Sequence, residues 1–170
     1  MSERGAKRPL YTAEQRRRRD KSRWTLVQGI LAPLQFAILL VSLGLVGHYL
    51  ASGDGLWAAT VSVLAKTVAL YAIMITGSIW EKAVFGRYLF APAFFWEDVV
   101  SMLVLALHTA SAAMLLAQLG SPEARFVVAL AGYAAYAVNA AQFLLKLRAA
   151  RLEAGGQGAA TATAPAGGFA

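Results

Sequence analysis

Four apolar stretches dominate this chain, at about residues 24–50, 57–80, 94–118 and 124–148. Each exceeds the roughly 20 residues that a helix needs to cross a bilayer. A strand of that length with an open edge would leave backbone groups unpaired in lipid, so each stretch has to be a helix. Composition agrees: 58% of residues are apolar and 15% are charged, against about 45–50% and about 25% in a soluble domain. The first stretch is too long, and its leader too long and too charged, for a signal peptide. The sequence therefore predicts an all-α integral membrane bundle of four transmembrane helices within residues 24–150, after a basic segment at 1–23 and before an Ala/Gly-rich tail at 151–170. From residue 154 the tail is almost wholly Ala, Gly and Thr, which buries too little surface to order itself, so it is expected to be flexible.

Charge fixes the expected orientation. Nine of the sixteen Lys/Arg lie in residues 1–23. Lys82 and Arg87 belong to the middle connection, at roughly 82–93, and Lys146, Arg148 and Arg151 to the C-terminal end. Fourteen basic residues thus fall on one side, with only Arg125 opposite and Lys66 inside the second stretch. The positive-inside rule places both termini in the cytoplasm. The basic segment either controls topology alone or also lies on anionic lipid headgroups. Ala51–Gly55 forms one short turn, and Gly120–Glu123 another, with Ser121 placed to cap a helix that Pro122 opens. Short loops make consecutive helices antiparallel neighbours, so an up-down bundle is expected.

Polar residues inside a membrane helix are costly and face the protein interior or a cavity. Here they form one seam per helix: Gln28 and Gln35; Lys66, Thr76, Ser78 and Glu81; Glu97, Asp98, Ser101 and His108; Asn139 and Gln142. Glu97, Ser101 and His108 are spaced by four and seven and share a face. Lys66 and His108 sit deepest, at matching depth. Gln28, Gln35 and Asn139 read most simply as helix-linking hydrogen bonds. Lys66 is too central to reach water and needs an interior acceptor. His108 reads equally as a bonded core histidine or as a ligand contact.

Glu81 ends one helix, and Glu97 and Asp98 open the next, so the intervening loop brings the three carboxyls together. A helix C-terminus disfavours a negative charge and an N-terminus favours one. The same place thus favours a protonated Glu81 and ionised Glu97 and Asp98, the pattern of an acid–base pair. The simpler alternative has Glu97 or Asp98 capping its helix and Glu81 paired with Lys82 or Arg87. Phe85, Tyr88, Phe90, Phe94, Phe95 and Trp96 crowd the same loop. They suit an interfacial belt, and equally a flat aromatic ligand entering from the cytoplasmic leaflet. No cysteine is present, so thiolate metal sites and disulfides are excluded. No phosphate loop or redox motif appears. Proton transfer on an apolar substrate, such as addition or removal of water, is the chemistry these residues suit.

The runs PLYTAEQRRRRD (9–20), WTLVQGILAPLQF (24–36), GSIWEKAVFGRYLFAPAFFWEDVVSMLVLALHTA (77–110) and NAAQFLLKLRAARLE (139–153) resemble the 3-vinyl bacteriochlorophyllide hydratase family of bacteriochlorophyll biosynthesis. The resemblance implies a hydro-lyase that adds water to the C3 vinyl group of chlorophyllide a or its bacteriochlorin counterpart. It implies water and membrane lipid as partners, association with other pigment-synthesis enzymes, no nucleic acid, and a place in the bacterial inner (intracytoplasmic) membrane. No cofactor is expected, because magnesium is carried by the substrate. Chemistry and position then assign Glu81, Glu97 and Asp98 as catalytic groups. Trp80, Trp96, Arg87, Lys66, Asn139, Gln142 and His108 are the expected substrate contacts. Arg87 is placed to hold the propionate, and His108 to ligate the substrate magnesium. A non-catalytic pigment-binding or assembly protein, or a small transporter subunit, would use the same buried polar groups without changing its ligand.

Overall fold

The computed structural model describes residues 10–162 as five helices: α1 (Ala13–Lys21), α2 (Arg23–Ser52), α3 (Leu56–Phe85), α4 (Phe95–Leu116) and α5 (Pro122–Ala162). No strand occurs among the described residues. Helices α2, α3, α4 and the Pro122–Leu152 part of α5 are long and apolar enough to cross a bilayer. At 1.5 Å rise per residue, the 30 residues of α2 and of α3 reach about 45 Å, enough for the hydrocarbon core and both headgroup layers. These helices therefore run a few residues past the predicted spans. The middle connection is correspondingly shorter, because α3 continues to Phe85. Gly86 (φ 84°) then ends it, donating its N–H to the Lys82 carbonyl at 3.1 Å.

Packing is by hairpins. α2 lies along α3 and α4 along α5, while lesser α3–α4 and α2–α5 contacts close the bundle. Large apolar side chains such as Leu26, Leu40, Val68 and Leu144 point outward, and Ser42, Lys66, His108 and Ser111 are buried. Lipid tails are as apolar as leucine, so the interior gains from close packing and interhelical hydrogen bonds instead. Small and β-branched residues, among them Val46, Ala59, Val63 and Ala129, pack there against larger ones such as Leu70, Phe126 and Tyr133. Ser42 bonds Ser62 (2.8 Å) and Tyr133 (2.5 Å), and Gln28 bonds Thr76 (2.7 Å). Gln28 is thus a helix link, as expected.

The turns follow their sequence signals. Pro122 opens α5, and Ser121 Oγ accepts from the Ala124 N–H at 3.3 Å. Gly53 ends α2 at φ 79° and donates to the Tyr49 carbonyl at 2.8 Å. Gly53→Ala is expected to cost about 1 kcal/mol, because only glycine adopts that conformation freely. A lower midpoint of unfolding in detergent would register it.

Two segments differ from expectation. Residues 13–21 of the basic segment are helical, because Thr12 and Gln15 form a capping box and Arg18 pairs with Glu14 one turn away. α5 continues to Ala162, through the first part of the expected flexible tail. A helix already nucleated propagates readily through alanine. Residues 163–170 of that tail lie outside the described residues.

Candidate active site

The carboxyl groups meet where α3 ends and α4 begins. Glu81 lies in the last turn and a half of α3, and Asp98 in the first turn of α4. The loop between them turns two backbone amides inward. Ala91 N–H donates to Glu81 Oε2 at 3.2 Å, and Phe90 N–H to Asp98 Oδ2 at 2.7 Å. Phe90 adopts φ 57° to do so, a left-handed conformation that costs a non-glycine residue about 1 kcal/mol or more. The Glu81 and Asp98 side chains also lie within hydrogen-bonding reach of each other. Such a bond between two carboxyl groups needs one proton between them, since two carboxylates offer only acceptors. Both side chains are buried, at 5% and 4% exposure.

This geometry removes the simpler alternatives for Glu81 and Asp98. The residue that caps α4 is Phe94, and no side chain bonds its end amides as an N-cap. Lys82 donates to the Gly86 carbonyl and Arg87 to the Phe90 carbonyl (3.3 Å), so neither pairs with Glu81.

Glu97 has a different partner. Its Oε2 meets Lys146 Nζ of α5 at 2.5 Å, and the same ammonium bonds the Ala93 carbonyl and lies 5.1 Å from the Phe94 ring centre. Asn139 extends this link, donating from Nδ2 to the Glu97 carbonyl (2.8 Å) and to Ser101 Oγ (3.1 Å). Gln142 lies between Asn139 and Lys146 on the same face of α5, with its Oε1 buried and without a hydrogen-bond partner among the described residues. Lys146 is the residue that sequence reasoning missed, having counted it only as a topology charge. The signal was present: Asn139, Gln142 and Lys146 are spaced by three and four, on one face of α5.

The aromatic loop splits in two. Trp80 packs edge-on against Phe85 (5.8 Å) and Phe94 (5.7 Å), and its indole N–H donates to Thr25 at 3.0 Å. Trp96 stands 70% exposed, with Tyr88 and Phe95 also outward. Arg87 lies on the exposed surface beside them.

Lys66 and His108 form a second, deeper group. His108 is ten residues beyond Asp98 on α4, about 15 Å along the axis. Lys66 Nζ sits 3.7 Å from the centre of the Tyr136 ring. With the Gln35 amide turned to satisfy its neighbours, its oxygen accepts from Lys66 Nζ at 3.2 Å and from the Leu70 N–H at 3.1 Å. Lys66 thus has the interior acceptor its depth requires. His108 Nδ1 lies 2.9 Å from the Val104 carbonyl, to which it donates, and Nε2 is buried without a partner among the described residues. The ring rests on Gly132, where a Cβ would stand 2.9 Å from Nδ1. Gly132→Ala should therefore displace the imidazole or part α4 from α5. A fall of about 1–3 kcal/mol in stability in detergent is the expected reading. The structure brings together Glu81, Asp98, Glu97 and Asn139, with Gln142 beside them, and keeps Lys66 and His108 apart.

Two buried carboxyl groups within reach of each other, beside a third carboxylate neutralised by lysine, suit the delivery and recovery of a proton at one place. Comparison with known proteins points the same way. The profile of the 2-vinyl bacteriochlorophyllide hydratase family matches residues 11–149. The chain is 63% identical over 147 residues to a 2-vinyl bacteriochlorophyllide hydratase of Cereibacter sphaeroides, covering 86% of this chain and 91% of that protein. It is 57% identical over 157 residues to the protein of the same name from Rhodobacter capsulatus, covering 92% and 91%. These names number the vinyl position 2 where the resemblance above numbers it 3; vinyl hydration is common to both. No solved structure matches the chain. With a family profile spanning most of its length and two relatives this similar, the chain belongs to the 2-vinyl bacteriochlorophyllide hydratase family.

Proposed function

We propose that this chain is a membrane hydratase that adds water across the vinyl group of chlorophyllide a or a vinyl bacteriochlorophyllide, leaving a 1-hydroxyethyl group. The observation that carries the mechanism is the convergence of the buried Glu81 and Asp98 carboxyls on the adjacent Ala91 and Phe90 amides of the α3–α4 connection. The shared proton passes to the terminal vinyl carbon. Its neighbour becomes cationic and is stabilised by the macrocycle and by the negative charge left on the pair. Water adds to that carbon through oxygen and returns one proton to the carboxylates, so the pair ends as it began. No electron is gained or lost, and the scheme calls for no redox cofactor.

Glu81 is the donor in this scheme and Asp98 the group that steadies the cation and takes the water proton. Glu97 is held by Lys146 and positions the start of α4. The half-exposed aromatic rim of Phe95 and the exposed Trp96 offer a flat pigment a place to approach from lipid. The expected magnesium contact of His108 has no part in this scheme, because His108 lies about 15 Å deeper on α4 than Asp98. The charge distribution supports a cytoplasmic position for both termini and for the site, in the bacterial inner or intracytoplasmic membrane. Association with other enzymes of pigment synthesis would suit a substrate this poorly soluble.

The test uses membranes of a non-photosynthetic host expressing the chain, incubated with chlorophyllide a in oxygen-labelled water. A product heavier by one labelled water, absent with empty membranes, is expected. Unaltered pigment in the presence of inserted, folded protein would overturn the reading and favour pigment binding alone.

A further inference from the structure

The segment just before α1 joins the same end of the bundle and has no role in the mechanism above. Tyr11 is 4% exposed, far more enclosed than a residue of a solvated leader needs to be. Its ring stacks on Phe85 (5.7 Å, interplanar angle 19°) and meets Phe94 at 6.3 Å, the residue that opens the helix carrying Glu97 and Asp98. Behind it, the Arg19 carbonyl accepts from Thr25 Oγ1 at 2.6 Å, and Thr25 in turn accepts from Trp80. The segment is thus fastened at both ends against α2 and α3.

The Tyr11 hydroxyl has no hydrogen-bond partner among the described residues. The Arg19 guanidinium lies over the ring, 4.8 Å from its centre, where its charge opposes the effect of burial on the phenol, and it also bonds Asp20. Burial of an unpaired hydroxyl is destabilising, and phenylalanine would make the same stack without that cost. Burial also pushes the phenol above its ordinary 10, so it remains an O–H donor. A protonated phenol beside a guanidinium is a donor pair for a carboxylate, and a chlorophyllide carries one carboxylate at the edge of its ring.

Resting on the proposed hydratase reading, we propose that Tyr11 and Arg19 form the subsite for the substrate's propionate carboxylate, so that the N-terminal segment is part of the binding site. The phenol donates one hydrogen bond and the guanidinium supplies charge and a second. This anchor would stand on the inner side of the aromatic cluster, away from the exposed Arg87 that sequence position alone favoured.

The experiment measures binding of chlorophyllide a and of its methyl ester to the full-length protein in detergent by pigment fluorescence, with thermal unfolding alongside. Tyr11→Phe is expected to weaken the free acid about 10- to 140-fold, the range of one hydrogen bond to a charged group. It should change the ester much less, and should leave the ligand-free midpoint unchanged or higher. Arg19→Gln should show the same preference for the ester, and Arg87→Gln should not. Equal affinity of Tyr11→Phe and the parent protein for the acid would overturn the proposal. So would an equal loss for acid and ester, a lower midpoint with no selective loss, or acid selectivity lost only in Arg87→Gln. If the parent protein binds neither pigment, the hydratase reading falls first and this subsite with it. If the parent binds and Tyr11→Phe does not discriminate, only the subsite falls.

Discussion

Glu81→Gln is expected to lower the rate of vinyl hydration by about 100- to 10,000-fold, the contribution of a positioned acid in proton transfer, while the protein stays inserted. The amide keeps the size of the side chain and can still accept from the Ala91 N–H. It cannot pass a proton to carbon and recover it. Asp98→Asn should be similarly impaired, and the double variant should be little worse than either single one, because residues that act as a unit do not add. Initial rates with chlorophyllide a in washed membranes, normalised to inserted protein, make the comparison. Full activity in Glu81→Gln would remove Glu81 as the donor. A double variant as impaired as the product of the two single effects would show independent action and remove the shared proton.

Lys146→Met is the second large effect, and it acts on stability. It leaves Glu97, 7% exposed, without its cation. Removing one partner of a buried pair costs about 3–5 kcal/mol, and the lower end applies because the lysine side chain is itself 27% exposed. The variant should unfold at a distinctly lower temperature in detergent. Adding Glu97→Gln removes the stranded charge and should recover much of the loss. If the double variant is no better than Lys146→Met, the salt bridge is not what the lysine contributes, and its bond to the Ala93 carbonyl becomes the alternative.

The four spanning helices could be read directly from the chain, because in lipid an apolar run of that length has one backbone solution. That Glu81 lies near the start of the helix carrying Glu97 and Asp98 was also legible, since one connection joins the two helix ends. Register across the bundle was not. Lys146 is 49 residues from Glu97, and a sequence pattern records which face of α5 it shares but not the residue opposite. Trp80 shows the same limit. Its repeat with Trp96 made the two look equivalent, yet one is walled in by Phe85 and Phe94 and the other stands in the open. The capping box at Thr12 and Gln15 was visible in the sequence but was obscured by the run of arginines that follows.

The two-hairpin packing has a bearing on how the protein is made. Each hairpin can enter the bilayer as a unit with its own internal contacts, whereas the Glu97–Lys146 and Glu81–Asp98 contacts differ in kind. The first is internal to the α4–α5 hairpin, and the second exists only once the two hairpins have docked. Insertion and competence are therefore separate events in the life of the chain. A copy can sit in the membrane with each hairpin formed and still not have brought Glu81 and Asp98 together.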